Sequence, residues 1–118
     1  MIQGGGLEPG MGKKPTHKPI KNEADNGISN RVGTVAMART SHPDSASAQF
    51  FINVADNTLL DHTAPTRDGW GYCVFGMVSE GMEVVNSIRV VPTTSRDGHD
   101  DVPEEDVIIK NIAVTEED

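Results

Sequence analysis

Aromatic side chains are scarce in this chain: three Phe, one Tyr and one Trp, 4% of 118 residues. A single domain of this length must fill its core largely with aliphatic groups and has little stability to spare, because a small domain buries a small share of its surface. Cysteine is scarcer still. Cys73 stands alone, so no internal disulfide can form, and a reducing, cytoplasmic compartment is expected. Set between Tyr72 and Val74 in an apolar run, it reads as a packed thiol rather than a nucleophile. No apolar run reaches the roughly 18 residues of a membrane helix, and the N-terminal residues have neither the charge nor the apolar run of a signal peptide. Basic residues are outnumbered, 10 Lys and Arg against 18 Asp and Glu, for a net charge of −8. That balance argues against nucleic acid as a partner. Lys13, Lys14, Lys18 and Lys21 do cluster, but in a Pro/Gly-rich stretch without aromatics, which reads as a solvated loop.

What remains is a pattern of short strands. Residues 1–6 read as a strand end running into three glycines, which permit close backbone approach or positive φ. A phosphate loop fails there, since Leu7 and Lys14 stand where a glycine and a Ser or Thr are needed. Residues 7–19 are loop, and Asp25-Asn26-Gly27 is a turn signal. Strands are expected over 31–38, 49–54 and 72–78, with a last one over 107–114. Residues 81–88 carry Met82, Val85 and Ile88 at helical spacing and predict a short helix. Residues 96–101 read as an acidic turn. The fold class is therefore all-β, a sandwich or barrel.

The densest signal is SASAQFFINV at 45–54, where a small-residue loop ends at Gln49 and an apolar strand begins with two adjacent aromatics. Neighbouring strand residues point to opposite faces, so Phe50 and Phe51 serve different surfaces. One is expected in the core and the other on the opposite face, close to the Gln49 amide. Four histidines, His17, His42, His62 and His99, are widely spaced loop residues with no metal-ligand pattern. Ser45, Ser47 and His42 do not form a hydrolase site, since no nucleophile elbow is present.

GTVAMART at 33–40 together with SASAQFFINV resembles the paired signature of the cyclophilins, peptidyl-prolyl cis-trans isomerases built on a closed β-barrel. MIQGGG at 1–6, the Leu59-Leu60-Asp61 turn and GYCVFGMV at 71–78 agree in the same order, so the resemblance covers essentially the whole chain and is nearest the bacterial cytoplasmic type. It implies a cyclophilin-like antiparallel β-barrel with a short capping helix, incomplete at the N-terminus. In the family, the segment matching residues 1–5 lies inside the domain, after two strands, a helix and a Phe-His-Arg-type motif with the catalytic arginine. The 118 residues are accordingly expected to be the C-terminal part of one such domain.

The same resemblance implies the site. Met1, Phe51 and Leu60 match the apolar wall of the proline pocket. Gln3 matches the glutamine that contacts substrate backbone and orients the arginine, which makes Gln3 and Phe51 the catalytic pair. Gln49 matches a second glutamine beside the pocket, and Ala38 and Arg39 the strand end that pairs with extended substrate. Leu59 replaces a tryptophan that donates a hydrogen bond to cyclosporin in many eukaryotic members, so weak cyclosporin binding is expected. Tyr72 replaces a histidine and can close the pocket with its hydroxyl. Neither Arg31 nor Arg39 is placed to stand in for the arginine. The implied partners are proline-containing peptides and unfolded proteins, with no metal or cofactor. The implied activity is isomerisation of X-Pro bonds. The alternatives are a catalytically weak prolyl-peptide binding module and a fragment that does not fold alone.

Overall fold

In the computed structural model, which describes residues 1–116, the chain is strand and loop with one short α-helix. Strands β1 (Ile2–Gly4), β2 (Thr34–Met37), β3 (Phe50–Ile52) and β4 (Val74–Met77) form one antiparallel sheet in the order β1-β3-β2-β4. All lie within the segments expected from the sequence, but with trimmed ends. Thr34 N–H donates to the Arg31 carbonyl, and Gly33 has φ 86°, so a turn consumes residues 31–33 before β2 begins. Gly71, at φ 76°, similarly delays β4.

Cross-strand pairing places Gln3, Phe51, Ala36 and Val74 in one row across the sheet. Residues opposite one another share a face, and Ala36, Phe51 and Val74 are the buried cluster on it. Ala36, with no exposed surface, leaves room for the Phe51 ring. Burying that ring stabilises the fold by about 1.5–3 kcal/mol. Phe50 takes the other face and is half-buried against Gly4 and Gly5. The two aromatics do divide between faces as expected. The core aromatic and the one on the Gln49 side, however, are the same residue, Phe51, because residues two apart in a strand share a face. A bulge between Val35 and Ala36 in the β2–β4 pairing leaves Phe75 outside the ladder, and Phe75 and Met77 are exposed.

Helix α1 (Met82–Ile88) forms where the spacing predicts it, with Gly81 at φ 94° as its N-cap and Val85 as its buried residue. A Cβ placed on Gly33 would meet Met82 Sδ at 4.0 Å, so the first helical turn lies against the start of β2.

One expectation is corrected and another refined. Residues 107–114 are not a strand: the segment is irregular, with Val107, Ile108, Ile109, Ile112 and Val114 exposed. Apolar character alone makes no strand without a ladder partner; the Ile109 side chain lies against Gly4 of β1 without pairing with it. The acidic turn expected over 96–101 is present but tighter, at Asp97-Gly98, and its flanks are strands of a hairpin, β5 (Thr93–Arg96) and β6 (His99–Pro103). Asp97 and Gly98 have φ 50° and 80°, the left-handed pair that a two-residue hairpin turn requires.

Candidate functional site

The site grows from the buried row. Ala38 on β2's exit, Leu60 and Tyr72 pack on the Ala36–Phe51–Val74 cluster. The Tyr72 ring meets Phe51 edge to face, centroids 5.7 Å apart at 74°, a preferred aromatic geometry. Arg39 lies over the Tyr72 ring, its guanidinium carbon 4.8 Å from the centroid. Its Nε donates to the Gly71 carbonyl at 2.8 Å and its Nη1 to the Thr40 carbonyl at 2.9 Å. The peptide N–H and C=O of Arg39 itself have no hydrogen-bond partner among the described residues. Extended backbone arriving there would find both.

The rim beside Phe51 is polar. Gln3 Nε2 donates to Gln49 Oε1 at 2.8 Å, and both side chains are exposed. The Gln49 carbonyl accepts from Ala38 N–H at 3.0 Å, tying the rim to the strand end. Here the glycine run has its reason. Gly5 has φ 88°, with the Ala48 carbonyl only 2.6 Å from where its Cβ would stand, and a Cβ on Gly6 would collide with the Gln49 side chain. Met1 lies one residue before β1, about half exposed, and by strand alternation on the same side as Gln3.

The paired leucines divide. Leu60 packs against the core cluster, whereas Leu59 is 98% exposed. What fixes Leu60 is a polar hub that the sequence reading missed. Asn30 and Asn53 are fully buried. Asn30 donates to Asp61 Oδ1 from its backbone (2.7 Å) and its amide (3.0 Å), and its amide also reaches the Tyr72 carbonyl at 3.1 Å. Asn53 Nδ2 donates to Asn30 Oδ1 and Thr34 Oγ1, and Asn57 Nδ2 donates to Asn53 Oδ1. Ser29 Oγ donates to Asp61 Oδ2. Burial pushes the Asp61 carboxyl up. The hydrogen bonds from Ser29 and Asn30, with Arg31 nearby, outweigh that and hold it below the usual carboxylate range. The hub brackets Thr58–Leu60, a 3-10 turn, and the Leu60 carbonyl accepts from Tyr72 N–H at 2.8 Å. Leu60 and Tyr72, both expected at the pocket, thus hang from one buried network. In the sequence these asparagines look like ordinary turn residues. The usable signal is Asn53, placed directly after an apolar strand with no turn partner beside it.

Cys73 is half-buried, and burial pushes its thiol up, which fits a packed thiol. It borders an apolar cleft of about 270 Å³ between Ile20, Met37, Ala46 and Phe75, which Phe51 does not line.

With this geometry in place, comparison with known proteins is informative. A family model described as cyclophilin type peptidyl-prolyl cis-trans isomerase/CLD matches residues 1–114. The chain is similar to peptidyl-prolyl cis-trans isomerase B of Escherichia coli (strain K12), at 58% identity over 98% of this chain and 71% of that protein. It is 57% identical to peptidyl-prolyl cis-trans isomerase cyp18 of Streptomyces antibioticus, over 97% of this chain and 69% of that protein. A peptidyl-prolyl cis-trans isomerase of Acinetobacter baylyi is 54% identical over 97% of this chain and 59% of its own length.

Proposed function

The chain belongs to the cyclophilin-type peptidyl-prolyl cis-trans isomerase family, and from that premise we propose that it catalyses cis–trans exchange of X-Pro bonds in peptides and unfolded protein segments. The observation that carries the reading is the Phe51 wall, flanked by Ala38, Leu60 and Tyr72 and rimmed by the hydrogen-bonded Gln3–Gln49 pair.

The chemistry asks little of the protein. Rotation about a peptide bond faces a barrier of roughly 18–20 kcal/mol, and X-Pro exchange takes tens to hundreds of seconds unaided. No bond to the enzyme is needed, only differential binding of the twisted amide, with tenfold in rate for each ~1.4 kcal/mol. Phe51, Leu60, Met1 and Tyr72 hold the proline ring. The free peptide groups of Arg39, next to Ala38, pair with the substrate backbone, and Gln3 and Gln49 take its carbonyls and N–H groups. Twisting breaks amide resonance and leaves the proline nitrogen a better acceptor. Arg39 lies over Tyr72 with its Nε and Nη1 on two carbonyls, and the donor to that nitrogen is assigned to a different group.

The reading extends to the domain. On this reading the 118 residues form the C-terminal part of one cyclophilin-like barrel, and the nitrogen-facing donor belongs to its remaining part. The chain spans 71% and 69% of the lengths of two relatives, which supports a longer domain. Leu59, exposed and without an N–H at its tip, gives weak cyclosporin binding. The lone thiol suits a cytoplasmic setting.

The test follows cis-to-trans exchange of an Ala-Pro-Phe peptide, together with its binding, using the 118-residue protein. Saturable binding with exchange faster than the spontaneous rate, both weakened by Phe51→Leu, is expected. Binding without acceleration would reduce the chain to a prolyl-peptide module, and neither effect in a cooperatively melting sample would overturn the reading.

A further inference from the structure

Two arginines of this acidic chain converge on one polar recess beside the Tyr72 ring. The recess, about 350 Å³, is lined by Arg39, Thr40, Ser41, Arg67, Asp68 and Tyr72. Arg39 is fixed there from three sides, by the Gly71 and Thr40 carbonyls and the Tyr72 face, which leaves its Nη2 without a partner among the described residues. Arg67 is exposed and makes no ion pair or side-chain hydrogen bond among the described residues, where Arg96 with Asp106 is the ion pair present. Although the chain has 18 acidic residues and Asp68 lines the same recess, neither of these two cations forms an ion pair among the described residues. A preorganised guanidinium with a free donor edge is suited to receiving a carboxylate.

We infer that this recess selects substrates with an acidic side chain close to the proline, the carboxylate lying between Arg39 and Arg67. The inference rests on the isomerase reading, since Tyr72 is shared between the recess and the Phe51 wall. Ser41 adds a neutral hydroxyl donor. Asp68, on the same wall, opposes the effect and provides an internal control.

The test uses Ala-Ala-Pro-Phe-type peptides in two series, with Glu or Gln before the proline and with Glu or Gln after it. Dissociation constants come from fluorescence anisotropy and kcat/KM from exchange spectroscopy, at low and high salt. One series is expected to favour Glu over Gln by about two- to fivefold at low salt, the scale of an exposed charge pair. Screening should bring that ratio toward one. Arg67→Gln lowers the ratio and Asp68→Asn raises it. Equal binding of Glu and Gln peptides in both series at low salt overturns the inference while leaving the isomerase reading in place, as does a ratio untouched by Arg67→Gln. Absence of binding by any of the prolyl peptides overturns the isomerase reading, and the inference with it.

Discussion

Replacing Asp61 by Ala removes the acceptor of three donors at once: Ser29 Oγ, the Asn30 backbone N–H and the Asn30 amide. The amide keeps the Tyr72 carbonyl, but the Asn30 backbone N–H is left unpaired inside the protein, where Asn30 has no exposed surface. An orphaned buried donor costs about 1–3 kcal/mol, and hydrogen bonds to a charged group lie at the upper end, so a loss of about 2–3 kcal/mol is expected. A 118-residue domain has an unfolding entropy of about 0.25 kcal/mol/K near its midpoint. The melting temperature should therefore fall by about 8–12 °C, a large part of a marginal stability.

Asp61→Asn keeps the shape and removes the charge, so its deficit should depend on pH. The folded-state pKa of Asp61 lies below the ordinary value. The ionised form thus contributes stability that is fully present above the unfolded pKa, about 3.9, and is lost as pH falls through the folded value. The gap between wild type and Asp61→Asn, read from urea titrations followed by fluorescence, should be flat above about pH 5 and close below about pH 4. A gap that widens in acid, or an Asp61→Ala melt within about 2 °C of wild type, would refute the assignment of this hub as the anchor of the Leu60 turn.

Other substitutions probe other parts. Phe51→Ala, at a side chain only 1% exposed, should cost about 3–5 kcal/mol and leave no cooperative melt by circular dichroism. Phe51→Leu should fold and weaken prolyl-peptide affinity several-fold in a direct titration. Gly71→Ala combines positive φ with carbonyl and amide atoms 2.6 Å from the new Cβ, so it should destabilise by well over 2 kcal/mol in a urea titration. Gly10→Ala, at φ 87° in open space, should cost only about 1–2 kcal/mol. Phe75→Ser with Met77→Lys should lower concentration-dependent light scattering and change stability by less than about 1 kcal/mol, because both side chains are exposed. Unchanged scattering would remove that face as the source of association.

The parts legible in the sequence were those written as period. The apolar segments around β2, β3 and β4 and the Met82–Val85–Ile88 spacing of α1 announce themselves because each element buries one side. That one of the two adjacent aromatics is interior was legible for the same reason, but that Phe51 is the one came from the family resemblance, since alternation alone does not choose between them. Pairing was harder. Thr93–Arg96 and His99–Pro103 are polar and exposed, so their hairpin is set by Asp97-Gly98 rather than by hydrophobicity. Residues 107–114 carry a strand's composition but no ladder, and composition cannot report whether an edge is available. The asparagine hub, with Asn53 as its one faint signal, was missed for a different reason. Asn30, Asn53 and Asn57 are scattered along the chain, and their value arises only when β2, β3 and the Leu60 turn converge.

The titratable groups bear on how this site should be tested. Among the described residues the fold shifts Asp61 and Cys73. Asp61 is engaged from below the Leu60 turn, and Cys73 borders a cleft that Phe51 does not line. Neither is placed as an acid or base against the wall. A catalyst that only grips a ring and favours a twisted amide needs no such pair, so activity should follow shape rather than protonation. Substitutions that displace Phe51 relative to Tyr72, or that release the Leu60 turn from its hub, should lower peptide binding and exchange together. Asp61→Asn therefore tests both levels at once: the hub reaches Tyr72 through Asn30, so peptide affinity should fall with stability, and the difference from wild type should shrink in parallel in acid, where the wild type loses the contribution of ionised Asp61. Affinity that stayed constant while stability fell would mean that the Leu60 turn and Tyr72 hold their places by packing on Phe51 alone.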